Sequence, residues 1–312
     1  MIGVILAGGT GSRMQPFSEN YPKPILPVGN KPIIGYQLET LRILGIQRVI
    51  VVIGYLGHHI TQFLGNGEYY GVQIEYIQQK EPLGIAHAVA QLEGVVTEPF
   101  VLFLGDIFFI TNDLAPLIQE FNQNETQAIL ATKIESDPEM IKRNFAVLAD
   151  DAGMVHRVIE KPRFATTPLK GCGIYVFDLP IFDAIRRTPR TALRNEYEIT
   201  EAIQIFIDDG YRVKHLPLIT DDLNLTYPQD LLEINQIFLR SNGLEYLLGE
   251  HTQIPTGTKL DQTILGNHVI LDHPIELHNT VVFDHTHIQS RHLISNMILT
   301  PYQEIHLPSL DD

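Results

Sequence analysis

The first 23 residues constrain this chain more than any other stretch. An apolar run, Ile2 to Leu6, leads straight into a turn carrying Gly8, Gly9 and Gly11, and two cations follow, Arg13 and Lys23. Lys23 stands between Pro22 and Pro24. A short apolar run that ends in a glycine-rich turn reads as a buried strand delivering its backbone to a ligand. Successive N–H groups in such a turn form a concave nest for anions. Two fixed cations beside the nest suit a triphosphate better than a single phosphate.

Two common phosphate motifs do not fit. The dinucleotide fingerprint G-x-G-x-x-G fails because Met14 occupies the third glycine position, and no acidic residue ends the next strand. The P-loop pattern G-x-x-x-x-G-K-[ST] is absent. A plain tight turn would account for the glycines but for neither Arg13 nor a lysine held by two prolines.

The rest of the first half alternates strand and helix signals. Pro32 suits the first turn of a helix whose face is Ile34, Leu38, Leu41 and Leu44, ended by Gly45. Arg48 to Ile53 reads as a second buried strand, and Val72, Ile74 and Tyr76 alternate as a third. A helix is expected from near Gly84 through Val89 and Leu92, then a strand Phe100 to Leu104 running to Asp106. This alternation predicts an α/β fold, a Rossmann-like, mostly parallel sheet with helices on both faces. Ligands bind such sheets beyond the carboxyl ends of the strands, where the glycine turn and Asp106 both fall. From about residue 128 strands dominate: Ala128 to Ile134, Phe145 to Leu148, Val155 to Ile159 and Ile174 to Phe177. Helices are expected over Glu198 to Asp208 and Pro228 to Arg240.

A net charge of -15 argues against nucleic-acid partners, which reward clustered lysine and arginine. The single cysteine, Cys172, permits no intrachain disulfide and suits a reducing compartment. With no apolar run of spanning length and no signal peptide read at Met1, a cytoplasmic protein without membrane contact is expected.

The runs L-A-G-G-T-G-S-R-M-Q-P and P-K-P-I-L-P-V-G-N-K-P resemble the signature of sugar-1-phosphate nucleotidylyltransferases, and the likeness extends over the first three quarters of the chain. It is strongest to the long form of glucose-1-phosphate thymidylyltransferase. The resemblance implies in-line attack by a sugar 1-phosphate on the α-phosphorus of a nucleoside triphosphate, with Mg²⁺. It gives Arg13, Lys23 and Asp106 to catalysis, and Leu6, Ala7, Gly8, Gly9, Thr10, Gly11, Gln79 and Gly84 to the nucleotide. A glutamine amide can donate to and accept from the edge of thymine or uracil, with Gln78 as the substitute if the register slips by one. The sugar phosphate falls to Ala146, Glu160, Lys161, Gly173 and Arg194, with Glu198 beside them. Metal ligation falls to Asp106 and Asn224.

Three positions depart from the family's pattern: Ile107 replaces a polar residue, Ala146 a glycine, and Asn224 an aspartate. Together they leave open a non-catalytic, sugar-nucleotide-binding homologue; a uridylyltransferase is the nearer alternative. Retention of Gly11, Arg13, Lys23 and Asp106 favours the enzyme.

The last quarter has another rhythm. Ile264, Ile270, Val282, Ile288 and Ile294 recur at steps of six or twelve. A six-residue period fits a parallel β-helix, and the segment resembles the left-handed β-helix appended to several of these enzymes, short and degenerate here. The expected division is a catalytic domain over 1–243 and a β-helix-like domain over 244–312 that serves assembly of a homo-oligomer. Eight of the 13 histidines lie from His251 onward, and they are read as turn and surface residues rather than as a metal site.

Overall fold

The computed structural model describes residues 1–123, 125–191 and 195–308. The chain folds into two units. The first comprises Met1–Thr10, Pro22–Pro24 and Ile34–Asp222. The second comprises Gly11–Tyr21, Ile25–Ile33 and the chain from Leu223 on.

A nine-stranded mixed sheet organises the first unit. Ile2–Ala7 lies at its centre, parallel to Arg48–Ile53 on one side and to Phe100–Leu104 on the other. Gln73–Gln78 adds a further parallel strand at the edge. Ile2, Val4, Ile5 and residues 49–52 have no exposed surface, as befits strands covered on both faces. The edge strand instead alternates, with Gln73, Glu75 and Gln78 exposed. The expected alternation of strand and helix is present through Ile33–Ile43, Gly57–Leu64 and Ile85–Ala90.

Beyond Phe100–Leu104 the sheet turns antiparallel. Leu169–Phe177 runs against Phe100–Leu104, Ala128–Ile134 and Phe145–Ala149, and Val155–Glu160 closes that side. Leu169–Phe177 starts five residues before the expected Ile174, because Lys170, Gly171 and Gly173 interrupt the apolar run that marks a buried strand. The Phe100 ring packs in the core beneath against the rings of Phe177 and Phe182, at 5.8 and 5.9 Å.

In the second unit Met14 and Phe17 are buried anchors of two short helical turns, and Phe17 stacks on Phe283 at 5.8 Å. Helix Pro228–Ser241 carries Asn235, fully buried, which accepts from Gly29 N–H at 2.9 Å and donates to Pro27 O at 3.0 Å. The C-terminal strands stack in parallel: Tyr246–Leu248 on Lys259–Leu265, that on Glu276–Val282, and that on Ile294–Leu299. Partners are 17 residues apart throughout, as in Lys259↔Glu276 and Leu277↔Ile294. The repeat is therefore 17 residues, not a multiple of the six read from the sequence. Left-handed backbone recurs at the same interval, at His251, His268 and His285 and again at Gln262, Asn279 and Asn296. Glu304–His306 folds back antiparallel on the last strand.

Candidate active site

Each of the three central strands of the first unit is followed directly by a glycine: Gly8, Gly54 and Gly105. A side chain on Gly54 would place its Cβ 2.3 Å from Gly8 O, so these backbones touch directly. Gly105 N–H donates to Leu6 O at 2.9 Å. Leu6 and Ala7 are ladder residues facing Val52 and Ile53, whereas Gly9 and Thr10 are exposed and Gly9 has open space beside it. The loop is thus braced behind and free in front.

Asp106 sits in the turn between Phe100–Leu104 and Ile107–Thr111. Gln37, buried, fixes that turn by donating from Nε2 to Leu104 O at 2.8 Å and to Ile107 O at 3.1 Å. Lys23, between the buried prolines Pro22 and Pro24, reaches Asp106, with Nζ 3.2 Å from Oδ2. Two residues read as catalytic are therefore in contact. The Asp106 side chain is 44% exposed, so the pair adds little stability and leaves the carboxylate open to other ligands.

Gln79, not Gln78, is the buried residue after the edge strand. Its side-chain oxygen lies 2.8 Å from where a Gly8 Cβ would stand, and its Nε2 is 3.1 Å from His87 Nδ1. Gly84 has φ +109°, and a Cβ there would meet Tyr197 O at 2.5 Å, so this position demands glycine. Tyr197 in turn donates to Leu83 O and stacks its ring on His87 at 6.1 Å. His87, Tyr197 and Gln37 drew no notice in the sequence; only Gln37 left a trace, as a polar residue on an otherwise apolar helical face.

On the other side of the sheet, Ala146 is fully buried and pairs with Ile159 and Lys170. Glu160 accepts from the Thr200 hydroxyl at 3.1 Å. Glu198 precedes helix Ile199–Asp208 as its N-cap. Burial, then Glu160, then Cys172 and Glu198 push the Tyr175 hydroxyl far up, so it stays a donor. Lys161 adopts φ +42° and donates its N–H to Asn144 O at 2.8 Å. Gly173, at φ +74°, leaves no room for a Cβ, which would come within 2.9 Å of Ile107 and Leu104 side-chain carbons. Ile107 therefore packs into the space above Gly173. Arg194 lies outside the described residues.

A charged cluster with no signal in the sequence links this sheet to the strand Ile219–Asn224, which pairs with Ile107–Thr111. Lys170 has no exposed surface and pairs with the buried Asp222 at 2.6 Å, with Glu135 at 3.6 Å. Lys133 joins Glu135 to Asp221 at 3.2 and 2.8 Å.

In the second unit Gly11 is left-handed and starts the turn Ser12–Met14. Arg13 is exposed, its guanidinium 5.9 Å over the Tyr227 ring. Asn224, half-buried, ends the strand Ile219–Asn224. Asp230 accepts from Thr226 and Tyr227 N–H at 2.6 and 2.7 Å, which caps the next helix. His251, His268 and His285 stack at 5.0 and 4.9 Å, while His278 and His287 pair with Asp261 and Asp272. Among the described residues no group of three or more His, Cys, Asp or Glu side chains could hold a metal ion. No described helix is long and apolar enough to cross a membrane.

Comparison with known proteins identifies the family. The family model described as Nucleotidyl transferase matches residues 2–235. The low-salt glycan biosynthesis nucleotidyltransferase Agl11 of Haloferax volcanii is 37% identical over 78% of this chain and 68% of its own length. A glucose-1-phosphate thymidylyltransferase of Streptomyces griseus is 31% identical over 98% of this chain and 82% of its own. The UTP–glucose-1-phosphate uridylyltransferase AglF of Haloferax volcanii is 34% identical over 76% of this chain and 96% of its own. Among solved structures, a putative glucose-1-phosphate thymidylyltransferase from Bacillus anthracis superposes with a TM-score of 0.68 at 27% identity, covering 76% of this chain and 95% of that one. With a glycine loop at the carboxyl end of a central parallel strand, and a family match over most of its length, the chain belongs to the nucleotidyl transferase family.

Proposed function

We propose that the protein transfers a nucleotidyl group from a pyrimidine nucleoside triphosphate, dTTP first, to a sugar 1-phosphate, glucose 1-phosphate first, releasing pyrophosphate. The observation that carries this reading is the convergence of the braced Gly8 loop, buried Gln79 and the Lys23–Asp106 pair at the carboxyl ends of one set of strands. UTP remains the nearest alternative, since thymine and uracil differ by one methyl group and one relative is named as a uridylyltransferase.

The transition state brings two anions together at a five-coordinate phosphorus, so fixed positive charge is the main requirement. In this reading the N–H groups of residues 8–11 hold the triphosphate and Arg13 holds the leaving pyrophosphate. Lys23 bridges the α-phosphate and the sugar phosphate. Gln79 and Gly84 receive the base. Ala146, Glu160, Lys161, Gly173 and Arg194 receive the sugar phosphate.

Asp106 fits a hard divalent cation: it is a partly exposed carboxylate with no protein cage of further carboxylates among the described residues. Such a donor set suits Mg²⁺, which keeps several waters and shares itself with phosphate oxygens. Asp106 and Asn224 would hold it, and it would supply charge to the transferring phosphate. The stacked parallel strands with their 17-residue offset support a β-helix-like C-terminal segment; in this reading the helix is left-handed, 1–243 is the catalytic domain, and 244–312 serves assembly of a homo-oligomer.

Pyrophosphate release measured with dTTP, UTP, CTP and GTP against several sugar 1-phosphates tests the reading. Lys23→Ala should lower kcat by about 2–4 kcal/mol of barrier, with a smaller change in KM. Asp106→Asn should abolish turnover at ordinary Mg²⁺. Failure of the wild type to turn over any pair would leave the binding-only alternative standing.

A further inference from the structure

Gln79 can read a base only if its amide faces the right way. Thymine and uracil present an N–H donor at N3 and an acceptor at O4; cytosine presents the reverse, an acceptor at N3 and an amino donor at C4. An amide with one free N–H and a free oxygen matches thymine or uracil in one orientation and cytosine after a 180° turn about χ3. Something must therefore hold the amide. Resting on the base-binding role assigned to Gln79 above, we propose that His87 is the positioning residue that fixes this orientation and thereby rejects cytosine nucleotides.

The geometry is direct. Gln79 is 7% exposed, and its Nε2 stands 3.1 Å from His87 Nδ1, while its oxygen faces Gly8. The contact is a hydrogen bond in the tautomer whose Nδ1 carries the lone pair, which accepts one amide N–H, while the other ring nitrogen, Nε2, lies 3.5 Å from Gln91 Nε2. Turning the amide would set its oxygen against that lone pair and lose the hydrogen bond in a buried place. His87 is itself held: its ring stacks on Tyr197 at 6.1 Å and 23°, and Gln91 Nε2 donates to His87 O at 3.3 Å. Tyr197 is fixed through its backbone, with Tyr197 O accepting from Ala86 N–H at 3.0 Å, and Arg190 lies 5.1 Å over its ring. The chain of contacts from Arg190 to Gln79 is continuous within the first unit.

The readout is the ratio of kcat/KM for dTTP to that for dCTP. His87→Leu and His87→Met, measured in parallel so that a folding failure of one leaves the other, should lower this ratio by about tenfold or more, the discrimination a lost bidentate contact carries. His87→Asn, whose side-chain oxygen can accept at the same place, should restore most of it. A wild-type ratio in either apolar variant, or equal loss in His87→Asn, overturns the proposal. Gln79→Leu separates the two readings. If it leaves the ratio unchanged, the base is not read at Gln79 and the underlying assignment fails. If it collapses the ratio while the apolar His87 variants do not, only the role of His87 fails.

Discussion

Lys170→Met offers the sharpest test of how this fold tolerates charge in its sheet. The lysine has no exposed surface, and Asp222, 2.6 Å from its Nζ, is almost equally enclosed. Burial is the largest influence on the Asp222 carboxyl and pushes it above the usual carboxylate range, with Lys170 the main opposing force. Methionine keeps the volume and removes the opposing charge. Breaking one partner of a buried pair costs about 3–5 kcal/mol, because the other charge is left uncompensated. The sign with pH follows. With its folded pKa raised further, Asp222 takes up a proton in the folded state before the unfolded one, so the variant's deficit should shrink as pH falls toward the ordinary carboxylate range. Replacing both residues, Lys170→Met with Asp222→Leu, should recover most of the loss, since well-packed apolar pairs often match buried ion pairs. Urea unfolding of the wild type, both single variants and the double variant supplies the cycle. A Lys170→Met cost below about 1 kcal/mol, or a double variant no better than the single, would refute the argument that this pair is a strained compensation.

Other consequences can be checked separately. Burial, aided by Lys214, holds His215 below its ordinary value of 6.5, so the unfolded state binds the proton first and stability should fall as pH drops below that value; His215→Asn should flatten the slope of urea midpoint against pH. Gly54→Ala would force a methyl to within 2.3 Å of Gly8 O, backbone against side chain with no rotamer to relieve it, and should cost about 1–3 kcal/mol in thermal unfolding, whereas Gly9→Ala, with nothing within 4 Å, should be neutral. Deleting residues 268–284, one whole 17-residue repeat, should leave a foldable C-terminal stack, while deleting the six residues 268–273 should not; soluble yield and melting temperature of the two deletions decide, and equal outcomes would remove the 17-residue repeat from the argument.

The first unit was legible where local chemistry fixes local backbone. A strand that must end in a tight turn announces itself by its glycines, and Pro22-Lys23-Pro24 marks a lysine whose backbone has little freedom. What could not be read was anything that depends on pairing across the chain. Lys170 interrupts an apolar strand, so it looks like the strand's boundary; only its meeting with Asp222, over fifty positions away, makes it an interior residue. His87 is a single polar residue in a six-residue helix, and Gln79 cannot be told from Gln78 until the edge strand's register is known. Ile107 looked like a defect in a polar site until Gly173 was seen to leave the space it fills.

The C-terminal stack shows how a period can be sensed and still be misjudged. Each flat side of a coil spans about six residues of alternating burial, so a hexad signal is a true property of a side. The coil as a whole repeats in 17, with left-handed residues at fixed places in it: His268 in the turn after Lys259–Leu265 and Asn279 within Glu276–Val282. Steps of six therefore drift out of phase by one residue per coil, so the row from Ile264 to Val282 crosses two columns: Ile264 stacks on Val281, and Leu265 on Val282. Comparing each residue with the one 17 later resolves them: Leu265, Val282 and Leu299 fall in one buried column, and His251, His268 and His285 in one exposed column. Three of the histidines, His251, His268 and His285, are thus one position of the coil repeated, each with a left-handed backbone, a conformation in which His is enriched over apolar residues.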